Sequence, residues 1–384
     1  MAKPRLLYVV VEDWAFISNR LPMARAARDA GFEIHVATRI GKHADAIRAE
    51  GFILHDVPFA RGDLSPFAIQ RTIAAIRRVK RTVKPAISHH ISIQPTVYGS
   101  IASLGLDEPH LNALTGLGFA FTSKSPRARA LRPIVSGVLR VLLNRGRART
   151  LVQNVDDRDA LIALGLERDR IELIEGSGVD LSIFSPVAEP PGPITIGFVG
   201  RLLGDKGIFT LLDAHELLRS WGHDVRLAIA GFPDPGNPTS VTQNEIDTWK
   251  ADPTIRFHGK IDHASFDEIA RFWSAAHIAV LPSRREGLPK TLIEAAGCGR
   301  PLVATDVPGC RSVVVSGENG FLVPVDEPTS LARAIEKLVV SRELRERFGR
   351  AARERTEQRF SAMTIGSQIL QIYTRLAPAE VVRG

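Results

Sequence analysis

Glu286 and Glu294 stand eight residues apart in Arg285-Glu286-Gly287-Leu288-Pro289-Lys290-Thr291-Leu292-Ile293-Glu294. The segment follows a strand-like run, 278–282, and opens an apolar helix that Gly297 and Gly299 would end. Pro289 suits the first helical turn, where its missing N–H costs nothing. The free N–H groups of that turn, with the helix dipole, make an anion site. Glu286 then lies on the loop beside the anion, and Glu294 about a turn and a half into the helix. Carboxylates so close to a phosphate would repel it, so their partners should be hydroxyls. A ligand with both phosphates and many hydroxyls is a nucleotide sugar. A glutamate ahead of a helix is also an ordinary dipole complement, and a motif of this kind needs company before it carries a function.

Company comes from the strand-like run 194–199, which ends in Gly200-Arg201 with Lys206-Gly207 following. Gly200 lets backbone approach a ligand. Arg201 offers a planar fork and Lys206 a point charge, and both suit a diphosphate. At the C-terminal end of a domain's first strand they would stabilise the charge growing on a leaving nucleoside diphosphate. Taken singly, such a pair is more often surface charge. Two acidic clusters are weaker candidates. Asp157-Arg158-Asp159 has a metal–nucleotide spacing but opens a helix after Gln153-Asn154, which makes it a cap. Asp234-Pro235-Gly236-Asn237-Pro238 is a turn-rich loop without metal-ligand spacing. No metal site is expected.

The elements that must position these residues come in two series. The chain has 384 residues, 44% hydrophobic and 24% charged, and two domains are the natural division. Strand-like runs at 6–11, 33–37, 52–56, 86–90, 110–113, 150–153 and 171–174 alternate with helix-like segments. After the Pro-rich stretch 187–193 the alternation restarts with strands at 194–200, 225–230, 255–257, 277–281 and 302–304. Repeated βα units predict parallel sheets covered by helices. The expected domains are 1–188 and 189–360, with ligands bound beyond the strand ends.

Charge is unevenly placed. Residues 1–188 hold 26 Lys+Arg against 18 Asp+Glu, and residues 189–384 hold 24 of each, so the whole net charge of +8 lies in the first half. No acidic residue falls between Glu108 and Asp156, where Lys124 and seven arginines cluster. No apolar run reaches the length that spans a bilayer. The two cysteines, Cys298 and Cys310, read as free thiols in a reducing compartment, which makes the cytoplasm the expected location.

Gly200-Arg201, Lys206-Gly207, Glu286 with Glu294, Pro301-Leu302-Val303-Ala304-Thr305-Asp306 and Gly317-Glu318-Asn319-Gly320-Phe321-Leu322-Val323 occur in that order. The chain thereby resembles family 4 of the retaining glycosyltransferases. The resemblance implies an α/β GT-B fold, two Rossmann-like parallel-sheet domains facing across a cleft. The first would bind the acceptor, and a helix at about 361–376 would pack back on it. The second would bind the nucleotide sugar, UDP-linked by preference, with no cofactor and no metal. Arg201, Lys206 and Glu286 would be catalytic. Gly200, Ile261, Gly287, Leu288, Pro289, Lys290, Thr291 and Glu294 would line the donor site, Glu294 on the ribose hydroxyls. Two departures bear on the acceptor side. The family's glycine-bearing loop after the first strand reads Glu12-Asp13-Trp14-Ala15-Phe16-Ile17-Ser18-Asn19 here, which suggests an aromatic acceptor wall with Trp14 and Asn19. The usual histidine after the 110–113 strand is replaced by Thr115-Gly116, leaving His90 and Thr115 as acceptor contacts.

Ser18-Asn19-Arg20-Leu21-Pro22, Leu114-Thr115-Gly116-Leu117-Gly118 and Gly176-Ser177-Gly178-Val179-Asp180 resemble the subset acting on undecaprenyl-diphosphate-linked glycans in polysaccharide or glycoprotein biosynthesis. That resemblance implies a hexosyl or N-acetylhexosaminyl transferase with a lipid-linked acceptor, peripheral on the inner face of the cell membrane. The basic segment 124–149, with Leu131, Ile134, Val135, Val138, Leu139 and Leu142 at helical spacing, would meet anionic lipid. The same chemistry on a soluble acceptor is the alternative. A basic nucleic-acid-binding protein is the non-enzyme alternative, disfavoured because aromatic residues are only 6% and no nucleic-acid motif occurs.

Overall fold

The computed structural model describes residues 3–60, 65–114, 126–262 and 264–377. It divides into two compact units, 1–178 with 362–384, and 179–361. The division falls ahead of the Pro-rich stretch. Val179 donates its N–H to the Phe360 carbonyl at 2.9 Å, and Phe184 is buried in the second unit's core. The segment from Val179 to the Pro-rich stretch therefore belongs to the second unit by its packing.

In the first unit the strands are β1 (Arg5–Glu12), β2 (Glu33–Arg39), β3 (Ile53–Asp56), β4 (Ile87–Ile91), β5 (His110–Leu114), β6 (Ala148–Val152) and β7 (Ile171–Leu173). They form one parallel sheet in the order β3-β2-β1-β4-β5-β6-β7. Central β1 is a near-continuous apolar run because helices cover both of its faces. The helix Pro66–Val83 starts on Ser65, whose Oγ accepts from the Ala68 N–H at 3.3 Å, and it buries Thr72, Ile76, Lys80 and Val83. The helix Ala362–Leu376 returns to this unit and lies on Asp13–Asp29. Gly366 permits the close approach, since a Cβ there would stand 2.9 Å from that of Ala26. Tyr373 anchors it, its hydroxyl 2.9 Å from that of Tyr8 and 2.6 Å from His89 Nδ1.

The helix Pro126–Leu143 buries Leu139, Leu142 and Leu143, and Leu139 and Leu143 pack with Leu114, Val152 and Leu161. Val138 and Val141 on the same helix are exposed. One face of its C-terminal half is thus core. The side chains of Leu131 and Ile134, and all of Lys124, lie outside the description. Among the described residues, no helix is long and apolar enough to cross a membrane.

The second unit repeats the design with β8 (Ile194–Val199), β9 (Val225–Ala230), β10 (Ile255–Gly259), β11 (Ile278–Leu281), β12 (Leu302–Thr305) and β13 (Gly320–Val323). Their order is β10-β9-β8-β11-β12-β13, again parallel. Strand order reverses between β8 and β11. The ends of strands at such a reversal are where open parallel sheets take their ligands.

Candidate functional site

Both sets of chemistry-bearing residues fall on the loops that leave β8 and β11. Gly200 and Arg201 leave the end of β8, and Lys206 closes a single 3₁₀ turn, Gly204–Lys206, ahead of the helix Ile208–Ser220. Between the turn and that helix Gly207 intervenes at φ +71°, a left-handed conformation natural to glycine. A Cβ on Gly207 would lie 1.9 Å from the Pro282 carbonyl oxygen at the end of β11. Only glycine therefore lets the two loops touch, and the contact delivers Lys206 to Glu286.

Lys206 Nζ donates to Glu286 Oε1 at 2.6 Å, and Ser283 Oγ donates to the same oxygen at 2.7 Å. The ion pair is mostly shielded, with 23% of the lysine and 10% of the glutamate side chain exposed. From the far side, the helix Pro308–Val313 supports Glu286 through its backbone, the Gly309 N–H donating to the Glu286 carbonyl at 3.2 Å. A side chain on Gly309 would collide with that carbonyl at 2.7 Å. Thr305 Oγ1 donates to the Ser283 carbonyl and fixes the start of the loop.

The helix Lys290–Gly297 begins one residue later than expected, with Pro289 as its N-cap and not within its first turn. It ends as the two glycines predicted. Gly299 takes φ +72°, while the Arg300 N–H reaches the Ala295 carbonyl at 3.0 Å. Glu294 is 4% exposed and pairs with Lys290 at 3.1 Å, one turn back. Burial raises its carboxyl above the usual range, and Lys290 opposes that rise. Thr291 Oγ1 is buried without a partner among the described residues. Gly287 and Leu288 complete the loop between Glu286 and this helix.

Arg201 turns the other way. Its Nη1 donates to Asp234 Oδ2 at 2.9 Å, across to the loop that follows β9. In the sequence Asp234 reads as a turn residue. No local signal marks a partner 33 positions away. Ile261 follows β10 at the sheet edge and packs on the core. Beside it, Lys260 Nζ sits 4.6 Å from the Phe232 ring centroid. Each of the three cations so far assigned to the site has a carboxylate partner: Arg201 with Asp234, Lys206 with Glu286, Lys290 with Glu294. Such a site holds paired charge that a polyanion can exchange for one or more of the carboxylates.

The acceptor-side expectations need correction. Glu12–Asn19 is not a loop, because the helix Asp13–Asp29 starts directly from β1. Asp13, 4% exposed, secures that start by accepting from the N–H groups of Gly41 at 2.8 Å and His43 at 2.9 Å. Trp14 therefore lies in the first helical turn, its Nε1 donating to Glu12 Oε2 at 2.6 Å. Asn19 spends its amide on the Ala15 carbonyl at 3.2 Å. His90, expected as an acceptor contact, is fully buried in the structure. Its ring lies between Asn112 Oδ1 at 2.8 Å and Lys80 Nζ at 3.2 Å, in a network with Glu108, Ser88 and Ser103. Lys80 pairs with Glu108 in that network. Thr115 lies outside the described residues. Next to His90 the structure shows something the sequence did not reveal. Ser92 holds φ +77°, ψ 171° at the C-terminal end of β4, a strained conformation of the kind stored at functional sites. The pair Asp157-Arg158-Asp159 behaves as a helix start, with the Asp157 N–H donating to Asn154 Oδ1 at 2.7 Å.

Residues 181–355 match the family described as glycosyl transferases group 1, and residues 5–154 match the family described as glycosyl transferase 4-like. This chain is a glycosyltransferase of the family 4 type. A capsular polysaccharide biosynthesis glycosyltransferase, CapM of Staphylococcus aureus, is 33% identical over 46% of this chain and 45% of that protein, so the match spans under half of that relative. An N,N'-diacetylbacillosaminyl-diphospho-undecaprenol alpha-1,3-N-acetylgalactosaminyltransferase of Campylobacter jejuni is 21% identical over 93% of this chain and 95% of its own. Among solved structures, the sucrose-phosphate synthase of Thermosynechococcus elongatus superposes with a TM-score of 0.80 at 20% identity, over 97% of this chain and 99% of that one. The glycosyltransferase therefore has the GT-B fold, two Rossmann-like parallel-sheet domains.

Proposed function

We propose that this glycosyltransferase moves a hexose or N-acetylhexosamine from a UDP-linked donor to a hydroxyl of a polyprenyl-diphosphate-linked glycan. Transfer retains the anomeric configuration and needs no metal ion. The observation that carries the reading is the Lys206–Glu286 pair at the switch point of the second sheet. A diphosphate entering there exchanges for Glu286 on Lys206, because it carries more charge and offers more acceptor oxygens. Glu286, released from the lysine, accepts hydrogen bonds from hydroxyls of the donor sugar and sets its orientation. Arg201, steadied by Asp234, takes the other side of the diphosphate, and the backbone N–H groups over residues 287–291 complete the cradle. Glu294 receives the ribose hydroxyls. A buried carboxylate has a strong demand for donors, and two hydroxyls meet it.

As the glycosidic bond to the diphosphate breaks, negative charge grows on the departing oxygen, where Lys206 and Arg201 stabilise it. That oxygen takes the acceptor's proton on the face where the new bond forms. No protein nucleophile is required. The acceptor belongs to the first unit, with the strained Ser92 marking the sheet end where it would sit. The basic segment 124–149 and the exposed Val138 and Val141 would hold the enzyme on anionic lipid, peripheral on the inner face of the cell membrane. The Campylobacter relative, named for a lipid-linked acceptor, supports this choice.

A thermal-shift panel of UDP-, GDP- and ADP-sugars tests the donor, since a bound ligand raises the melting temperature by mass action. A shift confined to GDP- or ADP-sugars would refute the UDP assignment. Turnover should persist in a metal chelator. Co-sedimentation with anionic vesicles at low salt tests the acceptor side, and failure to sediment would favour a soluble acceptor.

A further inference from the structure

The second unit carries a cavity of about 360 Å³ away from the site described above. Five arginines line it, Arg300, Arg342, Arg345, Arg350 and Arg353, together with three glutamates, Glu189, Glu346 and Glu354, and one wall is the linker residues 186–189. The surrounding half of the chain has no net charge, with 24 Lys+Arg and 24 Asp+Glu, so five arginines against three glutamates leave a local excess of two positive charges.

Part of the arginine set has a structural task. Arg345 makes a two-pronged pair with Glu189, at 2.7 and 2.9 Å, and Arg300 Nη2 donates to the Val187 carbonyl at 3.1 Å. These bonds tie the linker down. Arg353 Nη1 donates to the Gly297 carbonyl at 2.8 Å, at the C-terminal end of the helix whose first turns hold Lys290 and Glu294.

Arg342 Nε donates to Glu346 Oε1 at 2.8 Å and lies 4.0 Å from Glu189 Oε2, and only part of the remaining capacity is unspent. Arg350 is exposed and has no hydrogen-bond or ion-pair partner among the described residues. Nη1 of Arg300 and Nη2 of Arg353 likewise have none. Arg300 is only 1% exposed, so its free edge is held in place by bonds through Nε and Nη2. Planar forks fixed at one edge and open at the other are suited to a phosphate, which accepts several N–H groups at once. The volume matches a small phosphate ester and is at the lower end of the range for ligand sites.

We propose that this cavity binds a soluble phosphomonoester, independently of the donor site. Binding is read by isothermal titration calorimetry with the full chain saturated with UDP, using glycerol 3-phosphate as probe. One equivalent should bind in wild type. Arg350→Glu and Arg350→Ala, at an exposed position outside the two-pronged Arg345–Glu189 bonds, should both weaken binding, Arg350→Glu by about tenfold or more. Lys206→Ala, which disables the proposed donor site, should leave the glycerol 3-phosphate isotherm unchanged. The idea fails if no heat is seen with UDP present, or if Lys206→Ala abolishes binding while both arginine variants retain it. Capture by phosphatidic acid vesicles without binding of glycerol 3-phosphate would also overturn it, by assigning the arginines to lipid headgroups.

Discussion

Replacing Glu286 with glutamine separates the two tasks assigned to this residue. In the free enzyme the carboxylate neutralises Lys206 across 2.6 Å, in surroundings that leave 10% of the glutamate and 23% of the lysine side chain exposed. A hydrogen bond between charged groups contributes roughly 1.5–3 kcal/mol, and partial solvent access places this one near the lower end. A diphosphate must displace it. The glutamine amide would hold Lys206 only as a neutral acceptor, so most of that energy would appear as tighter binding of UDP, about tenfold for ~1.4 kcal/mol. Turnover should move in the opposite direction, because an amide oxygen accepts hydroxyl bonds less strongly than a carboxylate. A loss of roughly 100-fold is expected if the residue orients the sugar in the transition state. Calorimetry with UDP and a steady-state assay with the UDP-sugar give both numbers from one protein. If Glu286→Gln weakens UDP, or leaves it unchanged, then Lys206 is not the cation that meets the diphosphate.

Three further outcomes follow from the same geometry. Lys206→Ala should reduce turnover by roughly 2.7–4 kcal/mol of lost charge stabilisation, seen as a drop of two to three orders of magnitude in kcat. Near-normal turnover would remove the lysine from the mechanism. Glu294→Gln should weaken UDP by about tenfold in calorimetry while sparing kcat at saturating donor, as expected for a ribose contact far from the reacting carbon. Stability should fall in acid. His110 is buried and neutral in the fold, and burial beside Lys80 holds its value down to about 4, against 6.5 when unfolded. The unfolded chain binds this proton more readily, so stability rises with pH between those values, by roughly 3 kcal/mol for this group alone. Thermal melts from pH 7 to pH 4 should show the loss, and His110→Gln should flatten the profile.

The second unit was largely readable from its sequence because its signals are local. Gly200, Gly207, Gly297 and Gly299 mark turns next to apolar runs, and Glu286 and Glu294 sit at a spacing that straddles a helix start. What escaped was long-range. Asp234 looked like a turn residue until the fold carried it to Arg201. His90 looked like a strand-end contact because nothing near it shows that Lys80, Glu108 and Asn112 close over it. The stretch after β1 was expected to be a loop by resemblance, although its lack of glycine was compatible with a helix. What starts the helix there is Asp13 reaching Gly41 and His43 on a separate loop. Pairing across the sheet, and not local propensity, decides such positions.

The most direct measurement is a crystal structure of the full chain grown with UDP. The diphosphate is expected within hydrogen-bonding distance of Lys206 Nζ and the Arg201 guanidinium, at the ends of β8 and β11, with Glu286 moved off the lysine. UDP found elsewhere, with the Lys206–Glu286 pair intact, would contradict the assignment of this pocket to the donor.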